Sequence, residues 1–287
     1  MLPNFLVIGA VKAGTTWLAS CLRDHPDIFM SAVKEVKYFT LHFEKGIDWY
    51  KSHFTDWSGQ AAIGEATPLY LAKPDVPHRI QAALGDQVKL IVSLRHPVDR
   101  AYSAFWFQNV RRKTISPGDD FLTVFRQGKL FRKPGLYFQH LNRYSNYFSR
   151  ENFLILIYEE DVVQNSQQGL SKCFNFLNVD AEFVPDKINT KVNKAGDVRV
   201  FHNQIWALRR TLRLLPTEIL SPISSKIRKP LEAVGSQALE LMPKKQSGYE
   251  SLDKNLRQEL LNEYYMADIR QLEDLLKRDL SVWYGSV

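Results

Sequence analysis

Short apolar runs alternate with helical repeats along the first 180 residues. Four runs rich in Val, Ile and Leu are typical of buried strands, at residues 5–9, 61–65, 88–94 and 153–158. Apolar residues at helical spacing predict helices at 15–24, 77–84, 98–110, 121–127, 136–149 and 168–177. Because these strands alternate with helices, the pattern predicts an α/β fold with a central parallel sheet flanked by helices.

The last third of the chain has a different pattern. Residues 205–230 combine Leu, Ile, Arg and Lys in a basic amphipathic segment that three prolines interrupt, and residues 251–280 form a long helical stretch. The basic segment suits packing on the core, a lid over a site, or contact with a membrane surface. With no clear linker, we expect one domain over 1–287: an α/β core at 1–180, then a basic loop, a lid and C-terminal helices at 181–287.

Composition narrows the function only partly. The chain has 287 residues, 45% hydrophobic and 24% charged, which is ordinary for a globular protein. Its net charge of +7 favours anionic partners, without choosing among nucleotides, acidic glycans, nucleic acid and membrane surfaces. Cys21 and Cys173 have no metal-ligand spacing and lie in helical segments, so we expect buried free thiols and no zinc site.

The start of the chain carries no signal-peptide pattern, because Met1 is followed almost directly by a predicted strand. No apolar run approaches the roughly 20 residues that cross a bilayer. We therefore expect a cytoplasmic protein.

The turn after the first strand, residues 9–16, has the composition of an anion site. Backbone N–H groups at a strand–turn–helix corner point toward one spot, and the helix end adds partial positive charge. Gly14 removes a Cβ so that an anion can approach, and Thr15 and Thr16 can bind its oxygens. Lys12 adds a full charge inside the turn. These residues predict a phosphate or sulfate cradle.

This loop differs from the Walker A loop of nucleotide kinases. Gly9 and Gly14 keep the Walker A spacing, but Thr15 stands where that motif has its lysine. The strand at 88–94 ends at Arg95 rather than at an aspartate that would help hold Mg²⁺. We therefore expect the loop to bind its anion without a metal.

Two segments resemble the cofactor-binding elements of one enzyme family. Residues 12–17, KAGTTW, resemble the 5′-phosphosulfate loop of sulfotransferases that use 3′-phosphoadenosine 5′-phosphosulfate (PAPS), and residues 94–103, LRHPVDRAYS, resemble their 3′-phosphate element. The resemblance implies a P-loop-like sulfotransferase fold and PAPS as the cofactor, with no metal. It implies these cofactor-binding residues: Lys12, Ala13, Gly14, Thr15, Thr16, Trp17, Arg95 and Ser103. Lys12 is also implied in catalysis, because a cation there stabilises the leaving phosphate.

Residues 34–39, 46–50 and 64–70 are similar to the heparan sulfate branch of that family. In that branch a glutamate at the position of Glu35 is the general base that takes the acceptor proton. Histidines serve in other branches, so His42 and His53 are the alternatives.

Two further residue patterns concern the acceptor and the 3′-phosphate of the cofactor. The branch has a lysine where this chain has Ala66, which weakens the case for an acidic glycan acceptor. A basic loop that closes over the 3′-phosphate in the family maps to Lys194 and Arg199.

The combined prediction is transfer of a sulfuryl group from PAPS to a hydroxyl or amine by metal-free in-line displacement. The acceptor, whether glycan, lipid or small molecule, stays open, as does the oligomeric state. Two alternatives also stay open: a P-loop nucleotide kinase or NTPase, and a non-enzymatic anion-binding protein. Nucleic acid is not an expected partner, because no RNP-like or helix-turn-helix pattern is present.

Overall fold

The structure is a computed structural model that describes residues 1–112, 115, 118–128, 130–190, 197–199, 244–246 and 250–285. The chain divides into two compact units. The first comprises Met1–Phe105, Ile115–Val192 and Ser251–Val287, and the second comprises Trp106–Thr114 and Asn193–Glu250. The assignment of the whole chain to a single domain stays a prediction.

The first unit contains a five-stranded sheet in the order β2-β3-β1-β4-β5, with all neighbouring strands parallel. Its strands are β1 (Phe5–Gly9), β2 (Ile28–Met30), β3 (Ala62–Ala66), β4 (Lys89–Leu94) and β5 (Phe153–Ile157). All residues of β1 and β3 are buried, as expected for the inner strands of a sheet covered on both faces. The carboxyl ends of β3, β1 and β4 therefore meet at one edge, where α/β folds bind ligands.

Helices connect and flank these strands, which confirms the predicted α/β fold. They are α1 (Thr15–Asp24), α2 (Tyr38–Leu41), α3 (Gly46–Lys51), α4 (Val76–Leu84), α5 (Pro97–Trp106), α6 (Phe121–Arg126), α7 (Tyr137–Tyr144), α8 (Ser166–Leu177), α9 (Lys254–Tyr264) and α10 (Met266–Leu276). Short 3-10 helices occur at Phe43–Lys45, Ser52–Phe54, Lys133–Gly135, Arg150–Asn152 and Ser281–Trp283, and π-helices at Phe107–Arg112 and Tyr158–Gln164. None of the helices in these described segments is both long and apolar enough to cross a bilayer.

The core under α1 and α8 contains both cysteines. Cys21 and Cys173 are free and fully inaccessible, packed with side chains of the sheet such as Ile91 and Leu156. Burial raises the pKa of the Cys21 thiol to about 12, so it stays protonated at neutral pH. This confirms the prediction of buried free thiols.

The observed elements differ from the predicted ones in several places, and three of these differences have a clear physical cause. The predicted helix over 251–280 is two helices, because the chain breaks at Tyr265, whose hydroxyl donates to the carbonyl of Arg132. The helix predicted at 98–110 changes to a π-helix after Trp106. The strand β2 was not predicted, because its three residues are too few to show a period.

The second unit contains one described sheet. Its strands β6 (Asp197–Arg199) and β7 (Lys244–Gln246) pair antiparallel. The basic amphipathic segment 205–230 lies outside the described residues.

Candidate functional site

The loop after β1 has the strained backbone of an anion cradle. Lys12 and Gly14 both have positive φ, at 71° and 78°. Gly14 precedes α1, and none of the described side chains caps this helix end. The Ser93 hydroxyl donates to the carbonyl of Ala13 over 2.7 Å, which ties the loop to β4. The N–H groups of the first turn of α1 are thus left for a bound anion.

Two features of the structure disfavour a side chain at position 14. The φ of Gly14 is in the left-handed region, and a Cβ built there would lie 2.8 Å from the ring of Tyr158. The contact with the ring can be separated from the backbone strain, because Tyr158→Ala removes the ring and leaves the φ of Gly14 as it is.

We expect Gly14→Ala to destabilise the wild type by about 2 kcal/mol more than it destabilises Tyr158→Ala, since overpacking typically costs about 1–3 kcal/mol and the backbone strain is the same in both backgrounds. Urea unfolding of the two single variants, the double variant and the wild type checks this. Equal losses in the two backgrounds would show that Tyr158 moves aside without cost.

Arg95 joins the end of β4 to the loop after β1. Its guanidinium donates from Nη1 to the carbonyl of Lys12 over 3.2 Å and lies 5.1 Å from the ring centroid of Tyr158. Its own carbonyl accepts a hydrogen bond of 2.7 Å from the Tyr137 hydroxyl. The structure thus places the two predicted phosphate-binding elements side by side.

A second layer of contacts holds the turn after Arg95. The carboxylate of Glu159 accepts from the backbone N–H of His96 and from the indole N–H of Trp283, each over 2.9 Å. Burial raises the pKa of Glu159, and burial lowers the pKa of His96 to about 4. His96 is therefore neutral at pH 7 and fully buried beside Arg95.

Helix α5, which follows Arg95, carries two buried polar residues, Arg100 and Ser103. Ser103 is buried, with 5% of its surface exposed, on the same helix as Arg100. Arg100 is also buried and donates to the carbonyl of Phe131. Arg100 was missed as a special residue, because charge in a helix normally indicates a solvated face.

Glu35 lies on the loop before α2, where its carboxylate pairs with the ammonium of Lys37 over 3.2 Å. The Glu35 side chain keeps 35% of its surface exposed, so an acceptor can reach it. Burial lowers the pKa of the neighbouring Lys34, while Glu35 and Glu65 raise it. Glu35 is thus a partly exposed carboxylate with two lysines nearby, Lys34 and Lys37.

The two histidines considered as bases lie in one aromatic cluster. His42 and His53 pack edge-on against Trp49, with ring centroids 5.0 and 4.4 Å away. Nδ1 of His53 hydrogen-bonds to the carbonyl of Trp49. Desolvation and the nearby Lys45 lower the pKa of His42. Both imidazoles thus have partners on α3 and the preceding turn.

The structure describes some of the other predicted cofactor-binding residues but not all of them. Thr15 is buried and Thr16 is half-buried in the first turn of α1. Trp17 faces the core, and its indole N–H donates to the carbonyl of Ile188, so only its backbone N–H can face an anion. Lys194 lies outside the described residues. Arg199 ends β6, and its side chain lies outside the description.

Sequence reasoning did not single out Glu65, which is buried at 1% exposure in β3. Burial raises the pKa of its carboxyl to about 7, although hydrogen bonds from Thr67, Tyr70 and Tyr50 oppose the shift. The signal was present, since a charged residue in an otherwise apolar strand needs buried partners.

Comparison with known proteins gives a consistent result. The family model described as "Sulfotransferase domain" matches residues 2–196. A "Membrane-associated sulfotransferase kil1" from Dictyostelium discoideum is 44% identical over 109 residues, 37% of this chain and 23% of that protein. A human "Heparan sulfate glucosamine 3-O-sulfotransferase 6" is 34% identical over 184 residues, 62% of this chain and 52% of that protein. The chain therefore spans about half or less of these curated relatives.

Solved structures extend the likeness over the whole chain. A "Sulfotransferase from Alicyclobacillus acidocaldarius" superposes with a TM-score of 0.69 at 25% identity and covers 99% of both chains. The "Sulfotransferase Domain from the Curacin Biosynthetic Pathway" shares the fold at 13% identity, with a TM-score of 0.52 over 98% of this chain and 99% of that one. The sheet order, the loop after β1 and these matches lead to one assignment: the chain belongs to the sulfotransferase family and is a transferase enzyme.

Proposed function

We propose that this enzyme transfers a sulfuryl group from PAPS to a hydroxyl or amine of an acceptor. One observation carries the proposal: the Arg95 guanidinium touches the backbone of Lys12, so two cationic elements meet at the ends of β4 and β1. A nucleotide with phosphates at both ends of its ribose needs such a pair of sites.

The described residues fit this cofactor. The uncapped first turn of α1 and the missing Cβ at Gly14 form a cradle for the 5′-phosphosulfate. Arg95, held over Tyr158, offers a planar fork for the 3′-phosphate, and Ser103 is the second ligand proposed for that group. The cofactor supplies an activated sulfuryl group with a good leaving phosphate.

The chain's own residues then perform two tasks. Lys12 stabilises the negative charge that grows on the leaving phosphate, as a preorganised cation does in a confined site. Glu35 takes the proton of the attacking hydroxyl or amine, because the resemblance has the base at this position and the Glu35 side chain keeps an exposed face. His42 remains the alternative base. Neither task requires a metal.

The acceptor side lacks one cation that acidic glycans favour. Ala66 ends β3 and is buried at 2% exposure, in the place where the resemblance has a lysine. Heparan sulfate, after which the matched human enzyme is named, is therefore one candidate acceptor beside lipids and small molecules. The cytoplasmic location and the contact of residues 205–230 with a membrane surface stay predictions.

We expect adenosine 3′,5′-bisphosphate, the product of PAPS, to raise the melting temperature by about 5 °C at 100 times its Kd. Ligand binding at that level adds about 2.7 kcal/mol to the stability of the folded state. ATP with Mg²⁺ is the control and should shift it by less than half as much. A larger shift with ATP would favour the nucleotide kinase, and no shift with either ligand would contradict the proposal.

Transfer itself is measured by release of the bisphosphate from PAPS, with heparan sulfate, a long-chain alcohol and p-nitrophenol as acceptors. EDTA should leave the rate unchanged, since the proposed chemistry uses no metal ion. Loss of activity in EDTA that Mg²⁺ restores would overturn the metal-free mechanism.

A further inference from the structure

The carboxylate of Glu65 has no role in the chemistry above, yet three hydroxyl groups converge on it. Thr67 donates from Oγ1 to Oε2 over 2.7 Å, and Tyr50 donates to Oε1 over 3.4 Å. Tyr70 adds a third hydrogen bond. A buried acid normally costs stability unless its oxygens are satisfied, and here hydroxyl groups from α3 and from the segment after β3 satisfy them.

Two of these hydroxyls also hold the backbone of the acceptor-side segment. The N–H of Lys37 donates to Oγ1 of Thr67 over 3.2 Å, and the N–H of Phe39 donates to the Tyr70 hydroxyl over 3.4 Å. A hydroxyl has one proton, and the Thr67 hydroxyl donates its proton to Glu65. The same oxygen therefore accepts the hydrogen bond from the N–H of Lys37. We call Glu65, Thr67 and Tyr70, with the amides of Lys37 and Phe39, the Glu65 network.

The network acts on a strained part of the chain. Lys37 has a φ of 60°, a left-handed conformation that a residue with a side chain keeps only when its surroundings hold it. Glu35 lies two residues before Lys37 and pairs with its ammonium. Holding the backbone of Lys37 therefore fixes both the direction of the loop and the partner of the exposed carboxylate.

We propose that Glu65 is a positioning residue, which acts through Thr67 and Tyr70 to hold segment 35–39 so that Glu35 faces the acceptor. This inference rests on the proposed function, since it assumes that Glu35 takes the acceptor proton. It also makes Thr67 the link whose loss disturbs the loop while the buried acid keeps its other hydrogen bonds.

The test compares Thr67→Val, which removes the hydroxyl at constant shape, with Thr67→Ser, which keeps it. We expect Thr67→Val to lower kcat about tenfold, in the range of general-base assistance, with KM for PAPS unchanged. Thr67→Ser should return kcat to within about twofold of the wild type. The acceptor is the fastest of the three named above, or water where none reacts.

A pH profile separates positioning from a purely structural role. The wild-type kcat should level off above the pKa of its base, whereas kcat of Thr67→Val should keep rising with pH as hydroxide replaces the misplaced carboxylate. Two results would overturn the proposal. One is an unchanged kcat in Thr67→Val, and the other is a loss of affinity for adenosine 3′,5′-bisphosphate in this variant as large as its loss in kcat.

Amide exchange tests the network without cofactor or acceptor. Hydrogen–deuterium exchange at Lys37 should accelerate at least about tenfold in Thr67→Val and return to normal in Thr67→Ser. Exchange at Phe39 should respond to Tyr70→Phe instead. Failure of the wild type to bind the bisphosphate would remove the proposed function, while exchange at these two amides would still decide whether the network holds the loop. Unchanged exchange in both variants would refute it.

Discussion

Replacing Lys12 with methionine should lower the rate of sulfuryl transfer roughly 100- to 1,000-fold, the usual effect of removing one preorganised stabilising group. Methionine is unbranched and only one atom shorter than lysine, and it meets the same steric demand at the left-handed backbone of Lys12, whose φ is 71°. The change therefore removes the charge and little else. Loss of the Lys12 charge reduces the stabilisation of the ground state less than that of the transition state, because negative charge on the leaving phosphate grows only as the bond to sulfur breaks.

Single-turnover release of the bisphosphate from PAPS measures this rate. Lys51→Met is the matched control, because Lys51 pairs with Asp48 on the exposed end of α3 and the change lowers the net charge by the same amount. Its rate should stay within about twofold of the wild type, since a surface ion pair contributes little. A rate for Lys12→Met within fivefold of the control would exclude Lys12 from the chemistry.

The sequence was sufficient for the parts of the fold that are continuous in the chain. The buried runs of β1 and β4, and the helical spacing of α1, depend on residues that are near neighbours. The motifs at residues 12–17 and 94–103 follow those two strands, so their meeting at one edge follows from a parallel sheet. The short strand β2 was not predicted, because three residues are too few to show the alternation of a strand.

The contacts that hold the site could not be predicted in the same way. The carboxylate of Glu159 joins His96 to Trp283, residues that are far apart in the chain. The Glu65 network likewise depends on hydroxyls that lie some 30 residues from the amides they bind. Such pairings depend on how separate elements pack, and side-chain type alone does not reveal a partner. A sequence motif therefore marks which residues touch the cofactor better than it marks which residues hold them.

Arg95 illustrates this difference, because it both contacts Lys12 and forms the proposed 3′-phosphate site. We expect Arg95→Ala to weaken binding of adenosine 3′,5′-bisphosphate about 10- to 100-fold, which corresponds to the roughly 1.5–3 kcal/mol of a hydrogen bond to a charged group. Binding of adenosine 5′-phosphate, which lacks the 3′-phosphate, should weaken by less than about threefold. Isothermal titration calorimetry of both nucleotides with both proteins gives the ratio.

The ratio separates the two tasks of this one side chain. Losing the bond to the Lys12 carbonyl loosens the loop for both nucleotides alike, whereas losing a 3′-phosphate ligand affects only the bisphosphate. Arg95→Lys keeps the charge but not the planar fork, so it should recover part of the discrimination. If both nucleotides lose affinity equally, Arg95 only braces the loop, and the 3′-phosphate must then find its cation elsewhere in the chain.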